Sequence, residues 1–381
     1  MEQSTRFGTP LDGTVTADHV EEALASSWRR IRSSRDAEHP VARASVLSLI
    51  VCVADLSATD RVLAAIHHLA RQHPSRTIIL LPERQSQGEE MRVWHATGCA
   101  DGEEHERVVC GEQIVIAARG RDIGHLPSLT DQLMLADLPS FLWWVGDFSP
   151  SQQLLFDRLT ELADRLVVDS SSFAALGTAM GRLHLLAHRR HQPCAPSDLN
   201  WARLTPWREL VAQFFDSPAL RPHLSQLDRV AIEYNPVGGS GPPQTSLLVS
   251  WLASQLGWQP DTAPPAQRGG PIQGRLRRPA GGPVGVSARP GGEGGVDGLI
   301  RLTLSAGATA RFLVARANDS DHALTEADVV GAPVLRRIAR CETSDLSSLL
   351  ADELMLFGRD HIYEAALRMA VDLSDGIKAW S

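Results

Sequence analysis

Residues 45–54 read SVLSLIVCVA and residues 77–81 read TIILL. Each is a short, continuous apolar run rich in β-branched residues, the pattern of a strand covered on both faces. Between them, Val62, Leu63, Ile66 and Leu69 recur at helical spacing, and His73-Pro74-Ser75 ends that helix. Strand, helix and strand between Ser45 and Leu81 make one βαβ unit, which predicts a parallel sheet. Downstream, the spacing predicts strands over Met91–Thr97 and Arg107–Arg119, the second broken by a hairpin or bulge at Cys110-Gly111. Further strands are expected at Ser140–Val145 and Arg165–Val168, with helices over Leu126–Leu135, Gln152–Ala163 and Phe173–Arg190. This alternation favours an α/β fold class.

Working outward, residues 1–40 are polar and hold one helical stretch, Val20–Ile31. Thr205–Phe215 carries helix-start signals in order, Thr then Pro then Glu209. A strand over Leu227–Tyr234, a helix over Ser246–Leu256 and a hairpin turning at Ala306-Gly307 follow, and two helices close the chain. Residues 259–298 are Gly- and Pro-rich and are expected to be a flexible stretch, although GPVGVSA within them has strand character. The expected organisation is therefore a 1–40 polar/helical segment, a 41–195 α/β Rossmann-like domain with a mostly parallel sheet and flanking helices, and a 196–381 C-terminal α+β domain.

Composition closes several classes. The formal net charge of −8 argues against a general nucleic-acid binder. The longest apolar run is far shorter than the ~20 residues a membrane helix needs. No secretory signal is evident after Met1, and the five cysteines are scattered without a CxxC pair, so a reducing cytoplasmic location is expected. His184 and His188 stand four apart on a helix with His191 beyond, but Leu185 occupies the place where a zincin has Glu, and no metal is expected.

Three expected strands end in an acidic residue where open parallel sheets bind ligands: Asp55, Asp147 and Asp169. Asp169 is followed by Ser170 and Ser171 at a helix start, so these residues either cap the helix or hold a small anion. No GxGxxG, Walker A loop or GxSxG elbow occurs at these junctions, and no cofactor is expected. An enzyme or sensor binding a sugar phosphate or nucleotide in this crevice stays open as the alternative.

The chain has nine Trp and nine Phe but two Tyr, and its tryptophans cluster. Trp143 and Trp144 lie in LPSFLWWVGD (138–147), Trp201 and Trp207 in DLNWARLTPWRELVAQFFD (198–216), and Trp251 and Trp258 in SWLASQLGW (250–258). With SLIVCV, HPSRTIIL (73–80), ADRLVVDSSSF (163–173) and LLADELMLFGRDHIYEAALRMA (349–370), these blocks resemble the glucose-6-phosphate dehydrogenase assembly protein family, OpcA, over nearly the whole chain. The resemblance implies a non-catalytic partner of glucose-6-phosphate dehydrogenase that promotes its active oligomer in the oxidative pentose phosphate pathway. The NADP chemistry would belong to the dehydrogenase. Trp201, Arg203, Trp207 and Arg208 are the candidate contact residues, because Trp and Arg dominate interface hot spots. The competing reading makes Trp201 and Trp207 core residues, and Trp143 and Trp144 are expected in the core of the sheet.

Overall fold

The computed structural model describes residues 6–13, 15–34, 42–43, 45–84, 88–99, 109–188, 194–261, 272–291, 296–317, 321–356 and 358–376. The chain is α/β and divides into two compact units. One comprises Met1–Val168, Arg189–Pro196 and Leu346–Gly358; the other comprises Asp169–His188, Ser197–Asp345 and Arg359–Ser381.

The first unit is built on a mostly parallel sheet. Its strands are β1 (Thr9–Leu11), β2 (Ala42–Arg43), β3 (Ser48–Val53), β4 (Arg76–Pro82), β5 (Glu90–Cys99), β6 (Val109–Arg119), β7 (Ser140–Val145), β8 (Arg165–Val168) and β9 (Ala195–Asp198), the last contributing its first two residues to this unit. The spatial order is β1-β5-β6-β4-β3-β7-β8-β9, with β2 beside β6. Strands β6, β4, β3, β7 and β8 run parallel, whereas β5 pairs antiparallel with both β1 and β6. Every residue of β3, β4, β7 and β8 is buried, as expected for strands with both faces covered. Helices α1 (Ala17–Ser34), α2 (Thr59–Gln72), α3 (Leu126–Leu133) and α4 (Gln153–Thr160) surround this sheet, together with the distant segment Leu346–Leu354, which packs on α2.

A cluster of charged side chains lies deep in this unit. Arg76, at the start of β4, is 2% exposed and donates to Glu112 of β6 at 2.7 Å, to Glu21 of α1 and to the Leu133 carbonyl at 2.9 Å. Trp28 donates to the other Glu112 oxygen at 2.6 Å. A buried guanidinium persists only when its donors are matched in this way. The cluster ties α1, α3, β4 and β6 together.

The second unit holds helices α5 (Leu176–Ala187), α6 (Leu199–Arg203), α7 (Thr205–Asp216) and α8 (Gly241–Leu256) and an eight-stranded sheet. The strands are β10 (Arg229–Asn235), β11 (Gln259–Pro260), β12 (Ile272–Arg277), β13 (Pro283–Pro290), β14 (Gly298–Ala306), β15 (Ala310–Arg316), β16 (His322–Val329) and β17 (Leu335–Arg340). The segment Leu346–Leu354 is α9, and α10 spans His361–Gly376. The order is β11-β12-β13-β10-β14-β15-β16-β17, antiparallel except for the β10–β13 pair. Helix α8 packs on β10 and β14, α7 on β15, and α10 on α5 and α8. Phe214 and Phe215 of α7 meet Phe312 of β15 at ring separations of 5.4 and 4.9 Å, which fixes that helix on the sheet.

Within 259–298, expected to be flexible apart from the strand-like GPVGVSA, the described residues include β11, β12 and β13, with Leu276, Val284, Val286 and Ala288 buried. Residues 262–271 and 292–295 of that stretch lie outside the described residues. Arg275 and Arg277 stand on β12. Among the described residues no helix is long and apolar enough to cross a membrane.

Candidate functional site: the Asp169–Arg203 cluster

Asp169 and Asp198 follow or end a strand and each caps what comes next. The Asp169 carboxylate accepts from the Ser171 N–H at 3.1 Å and the Ser171 hydroxyl at 2.6 Å, closing the 3-10 turn Ser170–Ser172. Asp198 accepts from the N–H groups of Asn200 at 2.9 Å, capping α6, and of Ser170 at 3.0 Å. Arg203, on the last turn of α6, reaches back to grip both Asp169 oxygens at 2.9 and 2.8 Å. This two-pronged contact is the strongest geometry open to an Arg–carboxylate pair.

Asn200 joins the cluster to the sheet. Its amide oxygen accepts from Arg203 and from Gln244 of α8, both at 3.1 Å, and its amide nitrogen donates to the Ser170 hydroxyl at 3.2 Å. Gln244 in turn accepts from the Leu299 N–H of β14 at 3.0 Å. Gly298, at φ +98°, lets β14 pass this close, since a Cβ there would overlap the Gln244 amide.

The two carboxyls differ in charge state. Burial works to raise the Asp169 pKa, but the Arg203 guanidinium and the Ser171 donors outweigh it and hold the group below the ordinary carboxylate value. Asp198 is fully buried, and burial, reinforced by the neighbouring Asp169 charge, pushes it up to about 7. Among the described residues its second oxygen has no hydrogen-bond partner. The two neighbouring acids are thus pushed in opposite directions, Asp169 toward the anion by Arg203 and Asp198 toward the protonated form by burial.

The structure sorts the residues singled out from the sequence. Asp55 and Asp147 belong to the first unit, and Asp169, Ser170 and Ser171 to the second. Asp55 accepts from the Ser57 N–H at 3.0 Å and hydroxyl at 2.7 Å, and Asp147 from the Phe148 N–H at 2.7 Å. Asp169 thus caps the turn after it, as one of its two readings expected, and Asp55 does the same for Leu56–Ala58, whereas Asp147 accepts from the N–H of the next residue. Trp201 and Trp207, the contact candidates, are 3% and 0% exposed. Trp201 donates to Asp360 at 2.9 Å and stacks near Tyr363, while Arg208 lies 3.5 Å over its ring. Arg203 is consumed by Asp169. Both indoles are buried, the usual place of a large aromatic side chain. Trp143 and Trp144 are buried in β7, as expected.

Residues 236–241 were not read as functional, yet PVGGSG is a glycine-rich loop from strand β10 into helix α8. Gly238 and Gly239 have φ +92° and +84°, and the Ser240 N–H donates to Asp297 at 3.3 Å. The signal was the strand–GGSG–helix order itself. A separate open groove of about 500 Å³ lies between α8 and α10, lined by His188, Trp258, His361, Glu364, Arg368 and Asp372. The rings of His184 and His188 sit 4.5 Å apart beside it, and His191 lies outside the described residues.

Comparison with known proteins places this chain among a defined set. The family described as the glucose-6-phosphate dehydrogenase subunit N-terminal domain matches residues 66–185, and the corresponding C-terminal domain matches residues 194–367. An OxPP cycle protein OpcA from Nostoc punctiforme is 33% identical over 193 residues, covering 50% of this chain and 40% of that protein. The protein of the same name from Synechococcus elongatus is 27% identical over 256 residues, covering 67% and 52%. The chain thus spans about half the length, or less, of the curated relatives it matches. Among solved structures, an oxidoreductase from Erwinia carotovora atroseptica aligns over 87% of this chain and 98% of its own, at 7% identity and a TM-score of 0.48.

Proposed function

Because the chain belongs to the OpcA family of glucose-6-phosphate dehydrogenase subunits, we propose that it is a non-catalytic assembly factor and allosteric activator of glucose-6-phosphate dehydrogenase. It acts in the cytoplasm, in the oxidative pentose phosphate pathway, with neither nucleic acid nor membrane as partner. The observation that carries this reading is the match of both subunit-domain families, in order, across residues 66–185 and 194–367. The nicotinamide chemistry stays with the dehydrogenase.

The mechanism is a population shift. The protein binds the active conformation or oligomer of the dehydrogenase more tightly than the inactive one, and a preference of about 1.4 kcal/mol moves that equilibrium about tenfold. The cluster around Asp169 serves this role indirectly, by fixing α6, α8 and β14 as one rigid scaffold. Trp201, Arg203, Trp207 and Arg208 belong to this internal support and not to the contact itself.

The test is a kinetic titration of the cognate dehydrogenase with this protein, with mass measured in parallel. Higher turnover or a lower KM, together with a larger assembly, is expected. Unchanged kinetics and unchanged mass at excess would refute the proposal.

A further inference from the structure

In the second unit the described packing sets α7 and α8 against the sheet, and the strand residues that alternate with the buried ones are exposed or half-exposed. The register places Ser287, Ala231, Thr303 and Leu313 side by side across β13, β10, β14 and β15. Along β10 and β13, exposed or half-exposed residues alternate with buried ones, so the helices cover the other face. Ala231, Ser287 and Thr303 are half-exposed and form a lane of small side chains across the middle of this face, which ends at the buried Leu313.

Charge flanks that lane. Glu233 is bridged by Arg289 and Arg301, and Glu326 by Arg311 at 2.9 Å and Arg336 at 2.7 Å. Each carboxylate is already shared by two guanidiniums. Arg229 and Arg275 add two more positive charges on the same face, and Asp328 is the one further acid at a strand position there. Arg277 and Arg340 are balanced by Asp261 and Glu342. The face thus carries a net positive charge in a chain whose total is −8.

Seven strands at about 4.8 Å spacing, each showing about 20 Å of length, present a surface of roughly 600 Å². That is close to one partner's share of a standard protein interface, about 800 Å². Two copies meeting through this face would set like charge on like charge. An acidic partner would find complementary charge with a smooth central lane.

We propose that this open sheet face is the docking surface for an acidic patch on the dehydrogenase. The inference rests on the functional reading above and adds the location and chemistry of the contact. The flanking arginines steer and orient the partner, while the Ser287–Ala231–Thr303 lane admits its backbone to close range.

The experiment uses the full chain and the purified cognate dehydrogenase, with affinity and assembly mass read across a salt series. The double variant Ser287→Glu/Thr303→Glu places two negative charges in the lane without breaking a bridge. Ser287→Gln/Thr303→Gln matches its size without the charge, and Arg158→Glu on the first unit controls for general charge. Circular dichroism and unfolding midpoints confirm that each is folded.

The Glu pair is expected to weaken binding at least tenfold, with the Gln pair and Arg158→Glu within about threefold of wild type. Binding of the wild type should also weaken as salt rises. Equal affinity of the Glu pair and wild type overturns the assignment of this face while leaving the assembly function standing. Loss of a homo-oligomer without loss of dehydrogenase affinity makes the occupant a second copy, and likewise overturns it. No binding by the wild type removes the functional reading and this inference together.

Discussion

Replacing Asp198 with Asn tests whether the buried acid carries a proton near neutrality. The folded-state pKa is about 7 against an ordinary value of 3.8, because burial and the adjacent Asp169 charge disfavour the anion. A raised native value favours the folded state fully below about pH 4, and that contribution is lost as pH climbs through 7. At pH 5 the unfolded carboxyl has ionised and the buried one has not, a cost of about 2 kcal/mol at ~1.4 kcal/mol per unit. By pH 8 both have ionised and the cost reaches about 4 kcal/mol. Asn cannot ionise and keeps an oxygen for the Ser170 and Asn200 N–H groups. Any fixed cost of the amide shifts all pH values equally. The stability of Asp198→Asn relative to wild type should therefore rise by about 2–3 kcal/mol between pH 5 and pH 8. Denaturant unfolding at several pH values measures it, and hydrogen exchange at Ser170 and Asn200 localises it. A difference that stays flat with pH would refute the reasoning, because the two states would then bind the Asp198 proton alike.

Arg203→Ala strips the Asp169 carboxylate of its two-pronged partner inside the second unit. A loss of about 3–5 kcal/mol is expected, read as a lower denaturation midpoint. In the first unit, Arg76→Met leaves Glu112, 2% exposed, without its guanidinium and should cost about 3–5 kcal/mol at pH 7. Gly298→Ala forces a side chain into φ +98° and against Gln244, so a destabilisation of at least about 1 kcal/mol should show in thermal melts. Trp207→Ala empties a fully buried site and should cost about 3–5 kcal/mol. At temperatures where this variant stays folded, its dehydrogenase affinity should match wild type; a large selective loss would return Trp207 to the interface.

The parts of the fold legible in the sequence are those where burial leaves one hydrophobic signature. SLIVCV and SFLWWV are buried at every position, so each reads as a strand unaided. Strand β17, LRRIAR, is exposed along nearly its whole length and offers no periodicity to find. Strands β12 and β13 bury one face only, and their small set of inward residues is diluted by glycine and proline. Helix α8 begins at Gly241-Pro242-Pro243, five residues before its first expected turn, because proline is tolerated where a helix has no internal N–H bond to lose. The site was half legible for a related reason. Caps are local, so Asp169 and the serines after it could be read in place, whereas the Arg203 clamp lies 34 residues away and has no local signal.

The tryptophans pointed to a partner by their type, but a large indole on a chain this size is first a means of filling a core. Trp143, Trp144, Trp201, Trp207 and Trp258 are all at most 3% exposed. The face left for a partner is instead written in residues that carry no motif: arginines two apart along a strand, with Ser, Ala and Thr between the charged rows. Such a pattern means nothing on one strand, where it is an ordinary solvated edge. It acquires meaning only when register sets Arg289, Glu233 and Arg301 across three neighbouring strands. A contact surface of this kind is a property of strand pairing, so composition and spacing alone could not have disclosed it.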